Sequence, residues 1–247
     1  NGVTTPSAES TAVTNTPETI APVANTVVEI YNKATDQWVA APKTMSGGNP
    51  VYTFYTGDEI RFKTSATDNS NYINKTTVRQ GHDRATEIQT GKVLHNTFRK
   101  DPVLNPNEEE PASNISSITD ASTTNPASLV VTEKVKDDLQ YSARNTATRS
   151  ITATDVAGNE SVGNTFILAQ GDLAVRNANL NPDKKIKVTS LASLTEQEKE
   201  SIKEAIKNAH DTATEKEKDR IQDVTFEGTN AKITYTDGRS RTKPISE

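Results

Sequence analysis

Hydrophobic and polar positions alternate through the first two thirds of the chain, and this period of two indicates β-strands. In residues 59–64, Ile60 and Phe62 face one way and the charged side chains face the other, as in a strand with one buried face. Short strands joined by turns predict a β-sandwich, and the long irregular stretch that follows favours the variable-type immunoglobulin arrangement. The predicted strands are residues 26–31, 51–55, 59–64, 128–132, 150–154 and 161–170.

The pattern changes near residue 171, where helical spacing appears. Thr195 and Glu198 form the sequence of a capping box, which marks the start of a helix. Apolar residues then recur every three or four positions, so one stripe of this helix is expected to be buried: Ile202, Ala205, Ile206 and Ala209. Strands are predicted around it at residues 185–189, 224–226, 231–235 and 239–244.

These patterns divide the chain into three parts. Residues 1–24 are rich in Thr, Ser, Pro, Ala and Val and contain neither Lys nor Arg, which is typical of an extended linker. Residues 25–170 are predicted to form the immunoglobulin-like β-sandwich, and residues 171–247 a small α+β domain. The predicted fold class is therefore mainly β, with a sandwich followed by a small mixed domain.

Charge and composition exclude several functions. Lys and Arg total 28 against 33 Asp and Glu, and the isoelectric point is near 5.4, so no basic stripe is available for nucleic acid. There is no cysteine, which excludes disulfides, a thiolate nucleophile and cysteine-ligated zinc. No apolar run approaches the roughly 20 residues that a membrane helix needs. We expect a monomeric fragment of a protein that is anchored elsewhere.

Sequence motifs for catalysis are also missing. The three histidines, His82, His95 and His210, are too far apart to form a metal motif. No Gly-x-Ser-x-Gly elbow, phosphate-binding glycine loop or calcium-binding loop of the Asp-x-Asp-x-Asp-Gly type is present. The sequence therefore predicts a protein that is not an enzyme and that has no cofactor and no metal.

The candidate chemistry lies at Thr148 and Arg149, at the head of the strand at residues 150–154. A guanidinium group suits a carboxylate, and a neighbouring hydroxyl suits sugar oxygens, so the pair matches sialic acid. The alternative is that Arg149 is an ordinary exposed strand residue. In a regular strand Arg149 shares a face with Ile151 and Ala153, so we expect it to emerge past the core or to be turned outward by a bulge. If Arg149 is exposed, replacing it with glutamate leaves folding intact.

The segment from Ala147 to Ser150, followed by residues 151–159, resembles the hydrophobic-Thr-Arg-x motif on strand F of the Siglec-like domain in streptococcal serine-rich-repeat adhesins. The first motif position is Ala147, where this family often has an aromatic residue. Residues 177–182, 194–199 and 234–238 look like the companion Unique domain of those binding regions. The resemblance covers nearly everything after the linker.

The resemblance implies a lectin, anchored in a bacterial cell wall and exposed outside the cell, that binds α2,3-linked sialoglycans on salivary mucins and platelet glycoproteins. Thr148 and Arg149 would contact the sialic acid, and Ala147 and Ser150 would contribute backbone or shape. Residues 79–111, 134–145 and the hairpin near Asp155 would select the remaining sugars, with these side chains closest to the motif in sequence: Tyr141, Arg144 and Asn145. The rival hypothesis is a structural stalk or a protein-binding module in which Arg149 has no part in recognition.

Overall fold

The computed structural model describes residues 16–80, 84–88, 104, 112–119, 122 and 126–246. Most of the predicted linker at residues 1–24, most of the predicted specificity tract at residues 79–111, and both His82 and His95 lie outside the described residues. The first eleven strands are β1 (Val23–Asn32), β2 (Gln37–Ala40), β3 (Lys43–Ser46), β4 (Asn49–Phe54), β5 (Glu59–Thr67), β6 (Ile73–Gln80), β7 (Arg84–Ile88), β8 (Ser113–Thr119), β9 (Ala127–Val135), β10 (Thr146–Asp155) and β11 (Asn164–Gln170).

These strands form two sheets that face each other. One sheet has the order β2-β1-β5-β9-β8, and the other has the order β3-β4-β11-β10-β6-β7. All of the pairings are antiparallel except that of β4 with β11. The core between the sheets is built from the inward residues of both, with the rings of Phe62 and Phe166 5.4 Å apart at its centre. The predicted β-sandwich is confirmed.

The second unit packs one long helix on a small sheet. Its elements are α1 (Leu173–Arg176), α2 (Glu196–Ala209), a 3-10 turn at Lys218–Arg220, β12 (Ile221–Glu227), β13 (Asn230–Tyr235) and β14 (Ser240–Pro244), with the strands in sequence order. Ile202 and Ile206 of α2 are buried against the sheet residues Val224, Ala231 and Ile233. The small α+β unit that the sequence predicts is therefore present.

The predicted capping box at the start of α2 is confirmed. The hydroxyl of Thr195 accepts from the backbone N–H of Glu198, and the Glu198 carboxylate accepts from the N–H of Thr195 at 2.8 Å. Backbone N–H donors from Thr195 and Thr189 favour the charged form and lower the pKa of Glu198 to about 2.

The strand predicted at residues 185–189 is wrong. Those residues form no ladder, and their alternation arises because Ile186 and Val188 pack on the core of the second unit.

Buried polar contacts join the two units. Arg220, which precedes β12, donates 2.5 Å hydrogen bonds to the carboxylate of Asp58 and to the carbonyl of Thr56. Asp237 accepts from the N–H of Leu173 through its carboxylate and from the N–H of Tyr141 through its carbonyl. Asp58 and Asp237 are both buried. The second unit therefore holds the turn between β4 and β5 and the connection between β9 and β10.

His210 is a buried polar anchor of the second core. Its Nδ1 lies 2.8 Å from the carbonyl of Ile206, and its Nε2 lies 2.9 Å from the hydroxyl of Tyr235. That hydroxyl also accepts from Nε of Arg241, so it donates to a neutral imidazole whose proton is on Nδ1. Burial disfavours the charged ring and lowers the pKa of His210.

Stability should therefore depend on pH through His210. Its folded-state pKa is below the unfolded value of about 6.5, so its contribution is complete above that pH and is lost as the pH falls toward the folded value. We expect the free energy of unfolding from urea titration to be lower at pH 5 than at pH 8. The variant His210→Gln should show a smaller difference between the two pH values, and an unchanged difference would contradict this assignment.

Candidate functional site

Strand β10 carries the Thr-Arg segment in a regular conformation. The strand pairs with β11 from Thr146 to Ile151 and with β6 from Arg149 onward, where Arg149 is opposite Gln80. Its only register shift falls between Thr154 and Asp155, well past the segment. Because alternate residues of a regular strand face opposite ways, Arg149 points to the inside of the sandwich, between buried Ala147 and Ile151.

The expectation that Arg149 emerges from the core or is turned outward by a bulge is wrong in this structure. Its side chain is 1% exposed and pairs with Glu133 of β9, which is fully buried on the opposite sheet. One guanidinium nitrogen, Nη2, lies 3.1 Å from Oε1 and 3.4 Å from Oε2 of Glu133. The physical reason is that Glu133 occupies an inward position on the facing strand β9, so Arg149 can be buried as one member of an ion pair.

Other polar groups complete this ion pair. Ser113 of β8 donates from its hydroxyl to Oε1 of Glu133 at 2.6 Å, and Nη1 of Arg149 donates to the carbonyl of Thr148 at 3.2 Å. A buried pair loses solvation on both charges, and added hydrogen bonds of this kind help to offset that loss. Arg149→Glu would place two carboxylates in the core, so the structure predicts that this substitution destabilises the fold, in place of the expectation that folding stays intact.

Thr148 and Ser150 face the other way, onto the outer surface of their sheet, where both are half-buried. The hydroxyl of Ser150 accepts from Thr165 of β11 at 3.2 Å. A Cβ at Gly163 would lie 2.5 Å from that hydroxyl, so a residue without a side chain is needed beside it. Hydroxyl groups of neighbouring strands thus form a patch that offers both donors and acceptors to a polyhydroxylated ligand.

The three flanking candidates differ in their surroundings. The amide of Asn145 is buried and donates to the carbonyl of Gln140 and the side chain of Gln170. Tyr141 lies at the junction with the second unit, where the guanidinium of Arg239 is 5.2 Å from its ring centre. Arg144 is exposed. The structure thus gives Tyr141 and Asn145 structural contacts, and a role for these three side chains in ligand binding stays a prediction.

Glu133 was missed by the sequence analysis, although a signal for it exists. Leu129, Val131 and Val135 are buried in β9, so Glu133 occupies an inward position of the same strand by parity. A carboxylate at such a position requires a buried donor, and Arg149 is at an inward position of β10 by the same rule. The two parities place both residues in the core, but they do not show that the residues face each other.

Three carboxylates come together at the far end of β10. One oxygen from each of Glu18, Asp68 and Asp155 lies within 4.8 Å of the others. Burial raises the pKa of Asp155, but hydrogen bonds from the side chain and backbone of Asn159 outweigh it and lower the pKa below its ordinary value. Carboxylate oxygens are the ligands that calcium prefers, so these residues could hold a cation.

Within the described ranges, no helix is long and apolar enough to cross a bilayer.

Comparison with solved structures relates the whole arrangement to known folds. The SrpA adhesin from Streptococcus sanguinis aligns with a TM-score of 0.53 and 20% identity over 93% of both chains. An arginine-to-glutamate mutant of that adhesin gives a TM-score of 0.52 and 21% identity over 84% of this chain and 95% of the mutant. The chain shares the fold of these streptococcal adhesins. The predicted resemblance is therefore confirmed at the level of the fold.

A third solved structure adds a ligand. The sialic acid binding region of the Streptococcus sanguinis SK1 adhesin, bound to 3'sLn, aligns with a TM-score of 0.54 and 20% identity over 93% of this chain and 47% of its own. Residues 177–247 match the family model of the atypical Rib domain. No curated protein sequence matches the chain.

The Arg149–Glu133 pair predicts strong coupling between two substitutions. Arg149→Met alone should lower the free energy of unfolding by about 3–5 kcal/mol, because it leaves the Glu133 charge buried without its partner. Combining it with Glu133→Leu should restore most of that loss, since a buried pair can be replaced by apolar residues at little cost. Urea titration of the two single variants and the double variant measures the coupling.

A matched control is available in the same sandwich. Arg61 pairs with Glu29 at 2.5 Å, but these side chains remain 23% and 16% exposed. Arg61→Met should therefore cost no more than about 1 kcal/mol. Additive effects of Arg149→Met and Glu133→Leu would contradict the assignment of a buried, mutually dependent pair.

Proposed function

We propose that this chain is a binding module of a bacterial surface adhesin that recognises sialylated host glycans without catalysing a reaction. The observation that carries the proposal is the position of Thr148-Arg149 on an inner strand of a fold shared with a sialic acid binding region. In the finer form of the proposal, residues 25–170 bind α2,3-linked sialoglycans of mucins or platelet glycoproteins. Residues 171–247 support that domain, and the full protein is anchored in the cell wall and binds as a monomer.

The ion pair supports Arg149 as the group that binds a carboxylate. Its Nη2 already lies within 3.4 Å of both oxygens of a carboxylate, that of Glu133. The carboxylate of sialic acid has the same charge and shape, so it can take the same donor once the arginine turns toward the ligand. In this proposal the hydroxyl of Thr148 contacts the sugar, and Ala147 and Ser150 contribute backbone or shape.

The surroundings of His210 exclude it as a candidate general base. It is the one histidine in the part of the chain that the structure describes, and it is buried in the second core with Ile206 and Tyr235 as hydrogen-bond partners. A general base needs access to a substrate proton, and a ring enclosed in this way has none. We therefore assign His210 a structural role.

A second candidate function is a structural stalk or a protein-binding module. The burial of Arg149 favours it, because an arginine that ties two sheets together can be retained for folding alone. The polar junction between the two units favours it as well, since it would keep their relative orientation fixed under load. The two functions differ in whether Arg149 contributes to glycan binding.

A glycan array distinguishes these candidates when it is probed with folded variants. The double variant Glu133→Leu/Arg149→Met removes the guanidinium and keeps the core neutral, so it is the appropriate comparison with the wild type. We expect the wild type to bind sialylated glycans and to be competed by free sialyllactose, and the double variant to lose binding at least about a hundredfold, which corresponds to roughly 3 kcal/mol for a charged hydrogen-bonded contact.

The control is sialidase treatment of the same glycans, together with the Arg61→Met variant, which removes an arginine from the outer part of the sandwich. Binding by the wild type should disappear on sialidase treatment, whereas Arg61→Met should bind as the wild type does. If the wild type binds desialylated glycans equally well, or if the double variant binds like the wild type, then Arg149 is not the recognition residue. Sialidase-insensitive binding by the wild type supports the stalk or protein-binding function, whereas sialidase-sensitive binding by the double variant leaves glycan recognition to other residues.

A further inference from the structure

Glu133 occupies the position that a ligand carboxylate would need. It lies on the sheet opposite Arg149, is fully buried, and receives the arginine through both of its oxygens. An external carboxylate that takes the hydrogen bonds of this nitrogen must displace the oxygens of Glu133 from it. The protein thus carries an internal analogue of the anionic group of the proposed ligand.

We propose that Glu133 is a specificity-determining residue of the glycan site, because its carboxylate competes with the ligand carboxylate for Arg149. This inference rests on the proposed function and adds a step to it: binding exchanges one carboxylate partner of the guanidinium for another. Only an anionic sugar offers the arginine a partner equivalent to the one that it leaves. Neutral glycans gain nothing that offsets the loss of the pair, so they are rejected.

The geometry around the pair is suited to such an exchange. Arg149 is opposite Gln80 of β6 and Phe166 of β11, and the pairing with β11 extends to Thr146. The guanidinium already reaches this end of the strand, since its Nη1 donates to the carbonyl of Thr148 at 3.2 Å. The guanidinium thus has an acceptor on β10 itself, besides the carboxylate of Glu133.

The hydrogen bond from Ser113 reduces the free-energy cost of leaving the Glu133 carboxylate buried when Arg149 moves away. Its buried hydroxyl donates to Oε1 of Glu133 at 2.6 Å, and this contact does not involve Arg149. A carboxylate that keeps a donor is destabilised less than one that loses all of them. Glu133 can thus hold the arginine in the free protein and still release it to a ligand.

The inference predicts a gain in affinity from a conservative substitution. When the binding-competent conformer is only partly populated, the apparent dissociation constant rises in inverse proportion to its fraction. Glu133→Gln keeps the size of the side chain and an oxygen acceptor for Ser113 but removes the charge, so it should release Arg149. We expect sialyllactose to bind this variant about tenfold or more tightly than the wild type, as a shift of the competent fraction from below a tenth to near one implies.

The experiment is calorimetric or interferometric titration of the full chain with sialyllactose, with lactose as the uncharged comparison. Glu29→Gln is the matched control, because it neutralises a carboxylate of the same sandwich that pairs with Arg61 instead of Arg149. It should leave affinity unchanged. If folded Glu133→Gln binds sialyllactose with the same or lower affinity than the wild type, Glu133 does not compete with the ligand and the inference is overturned.

A second measurement uses the wild-type chain and does not depend on the folding of the variant. The side-chain NMR signals of Arg149, assigned by their loss in Glu133→Leu/Arg149→Met, should shift on saturation with sialyllactose as the partner changes. Binding without such a shift overturns the inference and leaves the proposed function to other residues. Absence of sialyllactose binding to both the wild type and Glu133→Gln overturns the proposed function and the inference together.

Discussion

The buried ion pair between Arg149 and Glu133 is the interaction on which the account of this protein depends. It crosses the sandwich from β10 to β9 and places two full charges among apolar side chains. Neither charge is stable there without the other, so the pair fixes which faces of the two strands turn inward. The same pair decides how the guanidinium becomes available to a ligand, because anything that recruits Arg149 must first separate it from Glu133.

Contacts with the second unit help to fix the start of β10, the strand that carries Arg149. Asp237 and the adjoining loop hold the connection that runs from β9 to β10, with the N–H of Tyr141 bonded to the carbonyl of Asp237 at 2.8 Å. Asn145, the last residue before β10, is buried and bonded to Gln140 and Gln170. The start of β10 is therefore anchored by hydrogen bonds on both sides of Asn145.

Much of this fold could be predicted from the chain, because it depends on local alternation and end signals. The alternating pattern identified β1, β5, β9, β10 and β11, and the Thr195–Glu198 capping box located α2. The error at residues 185–189 arose because a segment that packs one side on a core alternates as a strand does, while sheet pairing depends on partners distant in sequence. Short strands such as β2 and β3 carry too few residues for a period to be read.

The site was harder to predict than the fold, for a physical reason. Parity placed Arg149 on the buried face, yet an isolated arginine in a core is so unfavourable that exposure was the simpler expectation. Its burial becomes favourable only with Glu133, sixteen residues earlier and on the other sheet. To predict that pair, one must know which residues of the two sheets lie opposite each other, and the alternation of residues along the sequence does not give this.

The most direct test of this account is a crystal structure of the chain with bound sialyllactose. The account predicts the guanidinium of Arg149 within about 3 Å of the sugar carboxylate, a normal length for a charge-assisted hydrogen bond, with Glu133 retained by Ser113 alone. A complex in which the glycan is bound while Arg149 remains buried on Glu133 would contradict it. That result would show that the ion pair has only a structural role and that another surface of the protein recognises sialic acid.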